Sequence, residues 1–243
     1  MTTEVDVCNR ALGAMGGRTS ISSLSETSPE AEECNLRYAA VRDSLLRAAD
    51  WGFAEATDVL TLNKSLPGSP GSLTAAEASW STNFPQPPWW YEYAYPASCL
   101  AVRWIIPQGS YGLLINQAQG SIIPQWQSVA LPFKIATNSD KDAKVILTNA
   151  QTAVCVYTTR ITDPDLWSSD FEQAMVSKLA ADLAIPLSGD KVLAQGNEQL
   201  ARDRVAEARA TDANEGVRVL NNEPDWLRAR GSVDSEDNIT RWS

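Results

Sequence analysis

Apolar residues recur at helical spacing toward both ends of the chain and at strand spacing only between them. A chain so ordered has to bury helical faces from two distant segments, and the simplest way is to close them on each other. Residues 30–54, "EAEECNLRYAAVRDSLLRAADWGFA", make the case. Ala31, Cys34, Tyr38, Val41, Leu45 and Ala48 stand three and four apart, a seam with small residues that another helix can approach closely. Leu46, Ala49 and Phe53 widen the buried face. The pairs Glu33–Arg37 and Asp43–Arg47 add only ~0.2–0.5 kcal/mol each, whereas burying Leu45 or Leu46 is worth roughly 1.5–3 kcal/mol. Packing decides this helix.

Its partners are legible on either side. Thr3 with Asp6 resembles a capping box opening a helix over 3–15, with Val5, Cys8, Leu12 and Met15 on one stripe and Gly16-Gly17 as the stop. Thr27 or Ser28 caps the second helix, with Pro29 in its first turn. Asp163-Pro164 starts a third, carrying Phe171, Met175, Leu179 and Leu183 and ending before Pro186. Ser188 caps a fourth, with Leu193, Leu200, Ala201, Val205 and Ala208 inward, fading at Gly216. The expected class is α+β. Residues 1–54 and 163–216 form a helical bundle, residues 55–162 an inserted β-rich domain with long loops, and 217–243 an extended C-terminal arm.

Strands are expected at 99–106, 131–136, 144–147 and 152–160, as a small antiparallel sheet with one face buried. In the last, Val154, Val156 and Thr158 alternate with Cys155, Tyr157 and Thr159. The Pro/Gly/Ser-rich stretch 64–88 exceeds the ~12–15 residues usual for an idle loop. Its Trp80 and Phe84, then Trp89, Trp90 and Tyr91 of "PPWWYEYAY", and Trp226 and Trp242 of the arm, are the expected contacts with a partner or a neighbouring subunit.

The chain has no histidine, which removes Ser-His-Asp and Cys-His catalysis and histidine metal sites. No GxGxxG, Walker loop, HExxH or GxSxG is present, and no cofactor or metal is expected. "AMGGRTS" has phosphate-loop glycines but follows a helix and lacks the lysine, so it reads as a helix cap. Cys8, Cys34, Cys99 and Cys155 lie in no CxxC and read as small buried hydrophobes. Nearly all of the formal charge of −10 sits on the two helical regions, and no basic cluster suits a phosphate backbone. There is no apolar run of about 18 residues for a membrane span, and "MTTEVDVCNRAL" has no secretory pattern. Synthesis and folding in a cytoplasm are expected.

Several segments, in this order, resemble the tail tubular protein A family, the head-to-tail adaptors of short-tailed bacteriophages. They are "VCNRALGAMGG", "SPEAEECNLRYAAVRDSLLRAADWGFA", "YEYAYPASCLAV", "FKIATNSDKDAKVILTNAQTAVCVYTTRITDPDLWSSDFEQAMVSKLAADLAIPLSG" and "PDWLRAR". The long 64–88 and 107–130 stretches depart from the family pattern. The resemblance implies a structural virion protein and no enzyme: a ring of twelve copies in the neck of the particle. That ring would sit between the portal protein and a tail nozzle of the tail tubular protein B kind, near the tail fibres, with DNA passing through its lumen. Two alternatives stand beside it. One is a tail-associated cell-wall glycan hydrolase using the WWYEY aromatics, with Glu92 as its acid. The other is a different connector or stopper protein.

Overall fold

A computed structural model describes residues 2–17, 19–67, 81–108 and 130–215. The expected arm with Trp226 and Trp242, and Trp80, lie outside the described residues. Among the described residues, four α-helices and seven antiparallel strands give an α+β protein.

Helix α1 (Glu4–Ala14) opens on the capping box expected of Thr3 and Asp6: the Asp6 N–H donates to Thr3 Oγ1 at 3.2 Å, and Thr3 N–H donates to the Asp6 carboxylate at 2.9 Å. It ends at Gly16, whose φ of +78° only glycine adopts without strain. Helix α2 (Pro29–Ala48) starts at Ser28, with Pro29 in its first turn. Its buried face is the expected seam, except that Ala48 is exposed and Arg42 is buried.

Asp163-Pro164 opens only a 3-10 turn, Pro164–Leu166; the helix proper, α3 (Ser169–Ser188), is capped by Ser168. It does not stop before Pro186 but runs through it to Gly189. Pro186 lies on the exposed side of the last turn, where the carbonyl it leaves without a donor can turn to water. Helix α4 (Lys191–Glu215) is begun by Asp190 rather than Ser188, whose hydroxyl bonds back to the Ala184 carbonyl. The Asp190 carboxylate accepts from Val192 N–H at 2.8 Å and Leu193 N–H at 3.1 Å.

Helix α3 is the centre of the bundle: it packs on α1, α2 and α4, and ten of its twenty residues are buried. Ala194, Ala201 and Ala208 of α4 are buried, and Ala174, Ser177, Ala181 and Ala184 of α3 are buried too. Small residues on both helices allow close approach. Leu200, expected inward, is 41% exposed. Residues from both chain ends share one core, in which Trp51, Phe53 and Trp167 surround Phe171 at ring distances of 5.1–5.3 Å. The chain leaving α2 therefore packs against the start of α3.

Seven strands follow α2 in the chain: β1 (Glu55–Val59), β2 (Leu62–Ser65), β3 (Tyr91–Ala94), β4 (Cys99–Pro107), β5 (Phe133–Thr137), β6 (Lys144–Thr148) and β7 (Ala153–Thr159). They form two sheets, β1-β7-β4 and β2-β3-β6-β5. One sheet of four strands is expected from the sequence; the structure has two sheets and adds β1, β2 and β3. The first two are polar and exposed, so nothing in their own composition marks them; pairing to β7 and β3 makes them strands. Tyr91, Tyr93 and Ile146 from one sheet meet Ile105, Cys155 and Tyr157 from the other in a second core.

Candidate interaction surfaces

The helices and sheets are joined through Arg103, a lone cation in the apolar strand "CLAVRWII". Its side chain is 2% exposed. The guanidinium donates to the Trp51 carbonyl at 2.7 Å, Glu55 Oε2 at 2.8 Å and Thr158 Oγ1 at 3.0 Å, and lies 3.5 Å from Asp50. One planar fork thus ties the end of α2 to β1, β4 and β7. A second tie runs from Arg160 to Asp43 of α2 at 2.9 Å. The Gly52 N–H donates to the Asp212 carboxylate of α4 at 2.9 Å. Sequence reading missed Arg103; a charge at a buried register of an apolar strand was its one signal.

The expected contact aromatics divide. Tyr91 lies on β3, 8% exposed, with its ring 6.4 Å from Tyr93 in the β core. It is internal to the chain's own fold, because the alternation of β3 sends Tyr91 and Tyr93 to one face and Glu92 to the other. Trp90 is half-buried against the same core and its N–H donates to Asn149 Oδ1. Phe84 and Trp89 are half-buried in the turns before β3. These residues form no flat stacking platform.

Glu92, the acid of the hydrolase alternative, is 2% exposed. It stands opposite Lys64 on β2 and Leu147 on β6. Burial pushes its carboxyl above the ordinary value, Lys64 pulls it back, and Asp140 pushes it up again. The Lys64 ammonium donates to the Thr82 carbonyl and Ser139 Oγ. A carboxylate so enclosed does not flank a glycan cleft.

Gly16 and Gly17 cap α1, with Gly17 N–H donating to the Leu12 carbonyl. No group of three or more His, Cys, Asp or Glu that could hold a metal occurs among the described residues. No helix among them is long and apolar enough to cross a membrane.

Apolar side chains remain outside the two cores in distinct places. Val59 (60% exposed) and Leu62 (46%) flank the corner from β1 to β2, and Ile135 (45%) lies on the edge strand β5. Ile185 and Val192 stand on either side of the α3–α4 turn, beside a groove of about 460 Å³ that also carries Asp182, Lys191 and Glu198. Leu36 on α2 is 72% exposed. Singly, such residues are ordinary; at strand edges and a helix turn they are open to other chains. Compared with protein-family models and with curated proteins, the chain finds no match in either.

Proposed function

We propose that the protein is a structural virion subunit, a head-to-tail adaptor of the tail tubular protein A kind. Twelve copies form a ring between the portal protein and the tail nozzle around the DNA channel. The observation that carries this reading is the way the chain divides its apolar residues. Both ends contribute to one helical core, while the strand edges and the α3–α4 turn keep apolar side chains at the surface. A subunit with several neighbours needs that division. The expected order of elements, helices around a β insertion, also agrees with the order of segments that resembles the adaptor family.

The function is then mechanical. Each subunit buries surface against its neighbours, matches the portal's symmetry and holds a channel open. An acidic wall lets DNA pass without sticking, because like charge repels the backbone. The hydrolase alternative draws no support from Glu92, and a stopper or other connector differs from the adaptor in where its density sits in a particle image.

Mass photometry of the purified full chain with its portal protein tests the proposal. A complex carrying twelve copies is expected, and a chain that stays monomeric beside the portal sinks it. Removing residues 217–243 should weaken portal binding and leave the helical signal intact; unchanged binding removes the arm from the account.

A further inference from the structure

We propose that copies of this chain join by strand addition: the free edge of β1 in one copy pairs antiparallel with the free edge of β5 in the next. The pairing rests on the ring reading above, which supplies the second copy.

In an antiparallel ladder, residues that bond the neighbouring strand alternate with residues whose N–H and C=O point away from it. Leu60 N–H donates to the Ala153 carbonyl and continues the β1–β7 ladder. Asp58 and Ala56 therefore bond β7, while Glu55, Thr57 and Val59 turn their backbone groups outward. Asn138 N–H donates to the Ala143 carbonyl in the same way, so Ala136 and Lys134 bond β6 and Phe133, Ile135 and Thr137 turn outward. Gln86 Nε2 donates to the Thr137 carbonyl at 3.2 Å. Among the described residues nothing bonds the outward groups of Thr57, Val59, Phe133 or Ile135.

The two edges lie on opposite flanks. β1 and β4 are the outer strands of one sheet, β2 and β5 of the other. β1 runs into β2 through Leu60 and Thr61, and Leu131 bridges to Ile105 of β4 just before β5. β1 therefore sits beside β2, and β5 beside β4. Two different edges make a heterologous contact, which closes into a ring when the rotation allows.

Matching the outward groups sets Thr57 against Ile135 and Val59 against Phe133. Asp58 then falls opposite Lys134, in the closer, non-hydrogen-bonded class of pair. Both are exposed, and neither has an ion pair among the described residues; the Asp58 carboxylate accepts from Tyr157 Oη at 2.6 Å. The same register covers Val59 and Ile135. β1 against β1 sets Asp58 across from Ala56 or a second Asp58, and β5 against β5 sets Lys134 across from Ala136 or a second Lys134. Neither matches charge.

Two chains, Asp58→Cys and Lys134→Cys, each checked by circular dichroism, are oxidised with diamide beside the portal protein, singly and mixed, then denatured and mapped by mass spectrometry. Cα atoms of such a pair stand about 4.5 Å apart, within disulfide range, so a 58–134 cross-link between copies is expected in the mixture. Thr57→Pro removes an outward N–H and spares the β7 ladder; loss of the oligomer with an unchanged circular-dichroism spectrum is expected. Asp58→Lys or Lys134→Asp alone should weaken association about two- to fivefold per contact, and the two together should restore it. A ring that forms without the 58–134 cross-link overturns the strand pairing and leaves the adaptor reading standing. A dominant 58–58 or 134–134 cross-link does the same. Copies cross-linked 58–134 that ignore the portal overturn the adaptor reading and support the pairing. A chain monomeric in every condition overturns both.

Discussion

The helical core and the β lobe differ in the size of the apolar cluster each encloses, 22 buried residues against ten. Around α3 the rings of Trp51, Phe53 and Trp167 each meet Phe171, small residues line the seam with α4, and the helix starts are closed by Thr3, Ser28 and Ser168. Both parts bury polar side chains, Arg42, Ser177 and Asn197 on the helices and Glu92, Thr148 and Thr158 in the β lobe, and in the lobe Tyr93 also donates to the Ala150 and Gln151 carbonyls. The lobe's edges keep Val59, Leu62 and Ile135 in water. Apolar packing is non-directional and tolerates small shifts, whereas hydrogen-bonded burial fixes geometry and is costly when one partner is lost. The larger apolar cluster makes the bundle the part where a core truncation costs most.

The largest effect should come from breaking the helical side of this comparison. Phe171 is fully buried and touches Trp51, Phe53 and Trp167. Phe171→Ala is expected to cost about 3–5 kcal/mol, a large part of the ~5–15 kcal/mol that holds a typical domain. A fall in the urea midpoint of the helical circular-dichroism signal checks it. A midpoint near that of the unaltered chain would place the stability elsewhere.

Arg103→Met attacks the joint itself. Asp50 and Glu55 are 64% and 48% exposed, so losing the cation strands no buried charge. The Trp51 carbonyl and Thr158 hydroxyl do lose their donor, and the expected cost is about 1–3 kcal/mol. The sharper readout is cooperativity. Fluorescence and circular-dichroism transitions in urea should separate, because the β lobe no longer reports the state of the bundle.

Glu92→Gln tests the polar burial of the lobe, and its effect should be smaller and opposite in sign. A buried carboxyl raised above its ordinary value gives its full stabilisation when protonated, below about pH 4.3, and loses it as pH rises through the folded value. The glutamine chain should therefore be the more stable at pH 7, with the gap closing as pH falls toward 4. Equal thermal midpoints at both pH values would remove Glu92 from the pH dependence.

What the sequence disclosed follows the same division. Helix starts are local chemistry, so Thr3 and Ser28 were legible, as was the α2 seam. Strands made by pairing alone were not: "EATDV" and "LNKS" have no alternating apolar pattern, and without β3 Tyr91 looked like a free aromatic. Asp190 was passed over for Ser188 because both are good caps and only the turn at Gly189 decides between them.

The smallest effect is expected at Leu200, where periodicity pointed inward and the fold points out. The α3–α4 seam is closed by Ala194, Ala201 and Ala208. Seven residues separate Ala194 from Ala201 and Ala201 from Ala208, so the alanines keep one face of α4. Leu200 lies one position back, about 100° around the helix, and is left 41% exposed. Leu200→Ala should change stability by no more than about 0.5 kcal/mol, as for surface substitutions generally. A loss of ~2–5 kcal/mol, the range for a buried leucine, would mean that α4 turns its leucine face to α3 and that the small-residue seam is wrong. Should the change leave folding untouched but weaken assembly with the portal, Leu200 would join Ile185 and Val192 as surface kept apolar for a neighbour.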